Sequence, residues 1–253
     1  MIITILICMI SNVYFTKKFD MDSITKIYEK VLSEEKIEKN QRVAIKVHFG
    51  EKGNTGFVKP KFIKPVVDLL KKDSSEIFVT DTNTLYRGMR TNAKDHTQIA
   101  KEHGFSELDI PIIIADGEIG ADEVEIVVNQ KNFKTVKIGK EIINSDVVVY
   151  ISHFKGHALF GFGGAIKNAS MGTGSRAGKL AMHSKIKPSV NDFKCVGCKI
   201  CEEYCDVEGI KVKPIINKAM INQNCIGCAK CISVCPQNAI IIPWHGALPK
   251  NAM

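Results

Sequence analysis

The sequence predicts an α/β protein, a mostly parallel sheet layered with helices, with a small cysteine-rich unit late in the chain. Three observations predict it. β-branched runs alternate with stretches of helical period from residue 22 to residue 151, the signature of strand–helix–strand layering. Eight of the nine cysteines fall between residues 195 and 235. The 253 residues are 45% hydrophobic, enough to bury one main core beside a unit that small.

Val13-Tyr-Phe15 reads as a first strand. Asp22 or Ser23 caps a helix whose apolar face is Ile24, Ile27, Tyr28, Val31 and Leu32. Residues 42–48 alternate and are β-branched, a strand that runs into the glycine-rich loop 49–56. A helix over 60–71 follows, then a strand over 77–80 that ends at Asp81-Thr-Asn-Thr84. Residues 92–103 form a helix stopped by Gly104, and 111–115 a short buried strand. Residues 124–128 and 133–138 make a hairpin, and Asp146-Val-Val-Val-Tyr-Ile151 is a further strand. Ligands of such sheets gather at the carboxyl ends of the strands. Loops 48–56, 81–88 and 152–168 occupy those ends.

Residues 1–10 are apolar but lack the leading basic residue and the small-residue cleavage site of a signal peptide. They are also too short to span a bilayer. They read as a buried strand, or as extra residues ahead of a start at Met9; the second is favoured and leaves Cys8 without a function. A cytoplasmic protein with no membrane partner follows. The net charge of +8 is spread along the chain and aromatics are only 7%, so no nucleic-acid module is expected. Steering of an anionic substrate or of an acidic redox partner is the milder expectation.

The cysteines form two runs, Cys195-Val-Gly-Cys198-Lys-Ile-Cys201-Glu-Glu-Tyr-Cys205 and Cys225-Ile-Gly-Cys228-Ala-Lys-Cys231-Ile-Ser-Val-Cys235-Pro236. Each has the C-x2-C-x2-C-x3-C spacing of bacterial-type ferredoxins, in which three close thiolates grip one cluster and the fourth reaches the other. Two [4Fe–4S] clusters are therefore expected, one on Cys195, Cys198, Cys201 and Cys235, the other on Cys205, Cys225, Cys228 and Cys231. Zinc competes for C-x2-C pairs but needs neither the third cysteine nor Cys-Pro. Disulfides between such close cysteines are less expected. The first run departs from the pattern at Asp206, where proline is usual; the acid either loosens that turn or lowers the neighbouring potential. The two halves repeat at an offset of thirty residues, and each ends in a short strand near 209–212 and 239–242.

Ser152-His153-Phe-Lys155-Gly-His157 and Gly161-Phe-Gly163-Gly164-Ala-Ile-Lys167-Asn168 directly follow a strand. Glycines let backbone approach a ligand, while Lys and His donate to carboxylate or phosphate oxygens. His48, Asp81, His153, Lys155, His157 and Lys167 are the candidate catalytic residues, with histidine as acid or base and lysine holding an anion. Gly161, Gly163, Gly164, Asn168 and His183 are candidate ligand contacts. The competing reading makes these exposed loop residues whose glycines serve turns. A metal on His153 and His157 would need a helix, which Gly156 argues against. Residues 171–177 imitate a dinucleotide fingerprint without a leading strand, and residues 174–180 fail as a phosphate-binding loop.

Lys46-Val-His-Phe-Gly-Glu-Lys-Gly-Asn-Thr-Gly56, Thr80-Asp-Thr-Asn-Thr-Leu-Tyr-Arg-Gly88, the two strings after residue 151 and Arg176-Ala-Gly-Lys-Leu180 resemble the iron–sulfur proteins of domain-of-unknown-function family 362. The resemblance runs from about residue 13 to residue 244. It implies an α/β domain carrying an inserted ferredoxin-like 2[4Fe–4S] domain, and no settled reaction. Family members usually continue past the second cluster to complete the large domain, so this chain reads as a fragment, a frameshifted gene or a shortened variant. The expected division is residues 11–186 as the α/β domain, 187–244 as the two-cluster domain, 1–10 as extra residues and 245–253 as a tail. The function expected is redox transfer in anaerobic metabolism, through the clusters to a small anionic or cofactor-like substrate, with an electron-donor or electron-acceptor protein as partner. The alternatives are a non-enzymatic electron carrier, a cluster-assembly or docking partner, and purely structural clusters.

Overall fold

The computed structural model describes residues 12–34, 37–72, 76–157, 161–183 and 187–243. The expectations for residues 1–10, for residues 184 and 244 and for the tail lie outside them.

The chain opens with helix α1 (Met21–Glu34), capped by Asp20, whose Oδ1 accepts from Ser23 N at 2.8 Å. The cap is thus two or three residues earlier than Asp22 or Ser23. Residues 13–15 form no strand, and Val13 and Phe15 are 88% and 81% exposed. β1 (Arg42–Lys46), α2 (Pro60–Leu70), β2 (Glu76–Asp81), α3 (Ala93–Glu102) and β3 (Ile112–Ile114) follow in turn. Pro60 begins α2, where a missing N–H costs nothing. Asn92 caps α3, accepting from Asp95 N at 2.9 Å, and Gly104 leaves it at a φ of 85°.

β4 (Glu123–Val127) and β5 (Thr135–Gly139) pair as an antiparallel hairpin, and the short helix α4 (Lys140–Ile143) leads into β6 (Val147–Tyr150). The four strands β3-β2-β1-β6 form one sheet, parallel throughout. Every residue of β1 after Arg42 is buried, the mark of a strand covered on both faces. Ile63, Val66, Val67 and Leu70 of α2 pack with Val43, Ile45 and Val79 in the main apolar core. Tyr28 and Leu32 of α1 lie against it from outside.

Beyond β6 the loop folds back as a small hairpin, β7 (Lys155–His157) with β8 (Gly161–Gly163). Two helices that the glycines conceal in the sequence come next, α5 (Ala165–Ala169) and α6 (Arg176–His183). Gly178 within α6 serves a close approach, because a Cβ there would lie 2.1 Å from Lys137 O on β5.

The cysteine-rich stretch carries β9 (Ser189–Val190), α7 (Ile200–Glu203), β10 (Ile210–Lys213), β11 (Lys218–Ile221), α8 (Lys230–Val234) and β12 (Ile240–Ile241). β10 pairs with β11 and β12 with β9, all antiparallel. A second apolar core lies here, built from Cys195, Cys201, Ile210, Ile232, Cys235 and Ile240, and joined by Leu85 and Leu180 from outside the stretch. Among the described residues no helix is long and apolar enough to cross a membrane.

Candidate functional site

The parallel sheet aims two opposite charges at one point. Lys46 ends β1 and Asp81 ends β2, side by side, 1% and 3% exposed. Lys46 Nζ donates to Asp81 Oδ1 at 2.9 Å, to Asn168 Oδ1 at 2.8 Å and to Val47 O at 2.7 Å. Arg90 Nη1 donates to Asp81 Oδ2 at 3.0 Å, and Arg90 Nε to Glu51 Oε1 at 2.8 Å. Tyr86 Oη completes the chain by donating to Glu51 at 2.7 Å. His96, wholly buried, stands with Nε2 3.5 Å from Asp81 Oδ2, too far for a good hydrogen bond, and neither of its ring nitrogens is otherwise matched.

Burial alone would push the Asp81 carboxyl up, but Lys46, His96 and Arg90 outweigh it and hold it well below the usual carboxylate range. Burial pulls Lys46 down, and Asp81 offsets only part of that. The two partners thus disagree on whether the pair is favourable. The carboxylate's direction governs, because two cations lie within 3.0 Å of it.

A cavity of about 390 Å³ opens over the carboxyl ends of β1, β2 and β6, within the size range of small-molecule sites. His48, Asp81, His153, Lys155, His157, Lys167, Gly163, Gly164, Asn168 and His183 all line it. Gly161 does not: it starts β8 with open space around it. Asn168 is a brace, since its Oδ1 takes Lys46 and its Nδ2 donates to Lys46 O, Ile151 O and Ser152 Oγ at 3.0–3.3 Å. His48 Nδ1 accepts from Gly50 N at 3.0 Å, which leaves the proton of the neutral ring on Nε2. Burial, then Arg90, pulls its pKa to about 3, so near neutral pH it offers a hydrogen bond and no charge. Burial and Lys167 depress His157, and burial and Lys155 depress Lys167, whose Nζ meets His157 Nε2.

Lys46, Arg90, Lys155, Lys167 and Lys179 face this space against the single carboxylate of Asp81. Leu85, Tyr86, Ile151 and Met171 give it an apolar side. Such a space suits a small molecule with an apolar body and an anionic end.

The cysteines ring two further hollows. Cys195, Cys198, Cys201 and Cys235 line one of about 20 Å³. Cys205, Cys225, Cys228 and Cys231 line another of about 20 Å³. Each draws three cysteines from one run and its fourth from the other, and none of the eight is in a disulfide. Among the described residues no three His, Cys, Asp or Glu groups converge on a point that would hold a lone metal ion.

The loops repeat down to their backbone angles. Gly197 and Gly227, Lys199 and Ala229, and Glu208 and Asn238 form pairs thirty residues apart, all with positive φ between 51° and 74°. Amides of Gly209, Ala219 and Ala239 donate to Cys205, Cys195 and Cys235 Sγ at 3.0–3.3 Å. Burial, then the charges of Cys235, Cys198 and Cys195, would raise the Cys201 thiol to about 11, and burial raises Cys231 further. Buried thiols at Cys201, Cys228 and Cys231 that resist ionising, with amides aimed at the sulfurs of Cys195, Cys205 and Cys235, fit a bound centre that supplies positive charge.

Sequence reasoning missed Arg90, His96, Asp116, Arg176 and Lys179, all buried. The signal available for the first was a pair of acids with no assigned cation, Glu51 in a loop and Asp81 at the end of β2. Lys179 and Arg176 sit in a family-like string, but glycines on either side hid their helix.

A family model described as "Domain of unknown function (DUF362)" matches residues 43–236. An archaeal-type glutamate synthase [NADPH] from Dehalococcoides mccartyi is 34% identical over 73 residues, 25% of this chain and 13% of that protein. One subunit of the ion-translocating oxidoreductase complex of Methanosarcina acetivorans is 40% identical over 53 residues, 21% of this chain and 19% of the relative. Pyruvate synthase subunit PorD of Thermotoga maritima is 34% identical over 55 residues, covering 22% and 56%. The chain therefore spans only a part of each of these relatives.

Proposed function

The chain belongs to the DUF362 family, and from that premise we propose that it is an iron–sulfur redox protein with a ligand cavity on its α/β part. One [4Fe–4S] cluster is held by Cys195, Cys198, Cys201 and Cys235, the other by Cys205, Cys225, Cys228 and Cys231. The observation that carries this reading is the interleaving of the two cysteine-lined hollows. A zinc site takes four ligands and has no need of the third cysteine of each C-x2-C-x2-C run. Short matches to proteins named as subunits of an oxidoreductase complex and of pyruvate synthase support electron transfer and an electron-carrying partner. When bound, such clusters supply one-electron exchange.

What the chain's own residues contribute is placement. Leu85 belongs both to the second core and to the lining of the cavity, so one side chain separates the cysteines' surroundings from a bound ligand. Arg87 Nη2 ties the two parts together by donating to Cys235 O at 2.8 Å. Lys155 and Lys167 hold the anionic end of the ligand, and neutral His48 donates to it. Purification without oxygen, followed by iron and sulfide analysis and electron paramagnetic resonance after reduction, tests the proposal. About eight irons per chain and two interacting reducible centres are expected. Stoichiometric zinc, or iron with no reducible signal, would refute it.

A carrier without chemistry of its own is the second reading. It is favoured by the surface around Cys198, which is exposed, with Phe193, Val196 and Ile215 at 101%, 53% and 98% exposure nearby in the chain or across its turn. Electron transfer to a partner that survives both His153→Ala and Lys167→Ala would select it.

A further inference from the structure

We infer that helix α6 joins the second cysteine set to the cavity, and that Lys179 on this helix is the proton donor to an oxyanion formed there by reduction. This inference rests on the redox reading above. Its basis is a pair of consecutive residues that face two different places. Leu180 is buried in the core that holds the cysteines, and a Cβ built at Gly227, between Cys225 and Cys228, would lie 3.3 Å from its Cδ2. Lys179 lines the cavity and is 7% exposed. One turn earlier Arg176 is wholly buried, its Nε donating to Ile119 O at 3.0 Å and its Nη1 left unmatched. The helix thus turns Leu180 to the cysteine-bearing core and Lys179 to the cavity.

Lys179 Nζ donates to Thr82 Oγ1 and, at 2.6 Å, to Gly174 O, two neutral acceptors. An ammonium has three hydrogens to give, so one remains for a ligand. Behind it stands Asp116, wholly buried, with Oδ1 accepting from Asn83 N and Nδ2 at 2.8 and 3.0 Å and Oδ2 unmatched. Burial lowers Lys179 to about 8; Asp116 and Asp81 hold it up, Lys46 and Arg90 push it down, and His96 and His183 also feel its charge. Burial raises Asp116 to about 6. A lysine that is charged at neutral pH but close to releasing its proton is matched to general-acid work, which His48, already neutral, cannot do.

The step balances simply. Two reduced one-electron carrier proteins are oxidised in turn, and the two electrons enter a C=O bond of the ligand, whose π bond breaks to leave an oxyanion. The N–H bond of the Lys179 ammonium breaks as an O–H bond forms on that oxygen, the carbon takes a second proton from water, and the neutral amine recovers its own proton from water.

Competitive acetylation of the full, anaerobically purified protein with acetic anhydride, read peptide by peptide across pH 6–11, tests this without knowledge of the substrate. Lys179 is expected to gain reactivity with a midpoint near 8, well below exposed lysines at about 10.4. Asp116→Asn should lower the midpoint further, because a negative neighbour is removed. Electrochemical reduction of the metal sites should raise it. A midpoint shared with the surface lysines, or one indifferent to Asp116→Asn, overturns the donor assignment. A midpoint unmoved by reduction overturns the coupling through α6. Protein that carries no iron refutes the redox reading instead, and its Lys179 midpoint is still measured.

Discussion

Lys46→Met should be among the most damaging single substitutions in the α/β part. The methionine keeps the stem's bulk and removes only the ammonium. Three bonds of 2.7–2.9 Å are lost at once, and Asp81 keeps Arg90 as its one remaining cation within 3.0 Å. Both partners are at most 4% exposed, so solvent screening removes little of the effect. Breaking a buried pair by deleting one partner costs about 3–5 kcal/mol, against total stabilities of roughly 5–15 kcal/mol. Amide hydrogen exchange of β1 and β2 is the suitable assay, because it measures local opening and does not require a protein with bound metal to unfold in one step. Asp81→Asn closes the cycle. The double variant should lie at least about 1 kcal/mol closer to wild type than the two single costs predict by addition. Additive costs, or a Lys46→Met cost below about 1 kcal/mol, would refute the claim that this pair anchors the sheet edge.

Three further outcomes are expected. His48 is depressed to about 3 against 6.5 in the unfolded chain, so the unfolded state binds the extra proton between those values. Stability is then full above about 6.5 and falls as pH drops toward 3, and His48→Gln should flatten that slope in acid unfolding curves by a few kcal/mol in total. Lys199 holds a φ of 65°, a conformation that strains any residue with a Cβ; Lys199→Gly should raise the thermal midpoint of the metal-loaded protein, by relief of about 1 kcal/mol. Cys235→Ser should disturb the resonance signal of the centre built on the first run, although Cys235 lies in the second, and Cys205→Ser should do the reverse. Each serine variant disturbing only its own run would show the interleaving to be wrong.

The parallel sheet was legible from its β-branched strands and from helices with an apolar face at the right period, although β1, read as alternating, is buried along its whole length after Arg42. Val13-Tyr-Phe15 misled because strand propensity describes a fit to a half-buried surface. Here Val13 and Phe15 stay almost fully exposed and meet no such surface. The cavity's rim was legible from its histidines, lysines and glycines. Its floor was not, because pattern reading sends charged residues outward. Lys46 is the instructive case: it follows three buried positions in a strand covered on both faces. A lysine there must either break the strand or find an acid, and the adjacent strand end supplies Asp81. Arg90 and Lys179 meet the same requirement from a loop and from a helix that no strand register could have foretold.

The burial of so many charges is itself an argument about function. An isolated ion pair of this kind adds little to stability relative to apolar residues of the same volume, so a core built for stability alone would not concentrate Lys46, Asp81, Arg90, His96, Asp116, Arg176 and Lys179 in one region. Lys46, Asp81, Arg90 and Lys179 line the cavity over the carboxyl edge of the sheet, and Leu85 belongs both to that lining and to the cysteine-bearing core. Charges fixed in a low dielectric need no rearrangement when a nearby group gains an electron. That favours a site where charge changes over a surface where a partner merely docks.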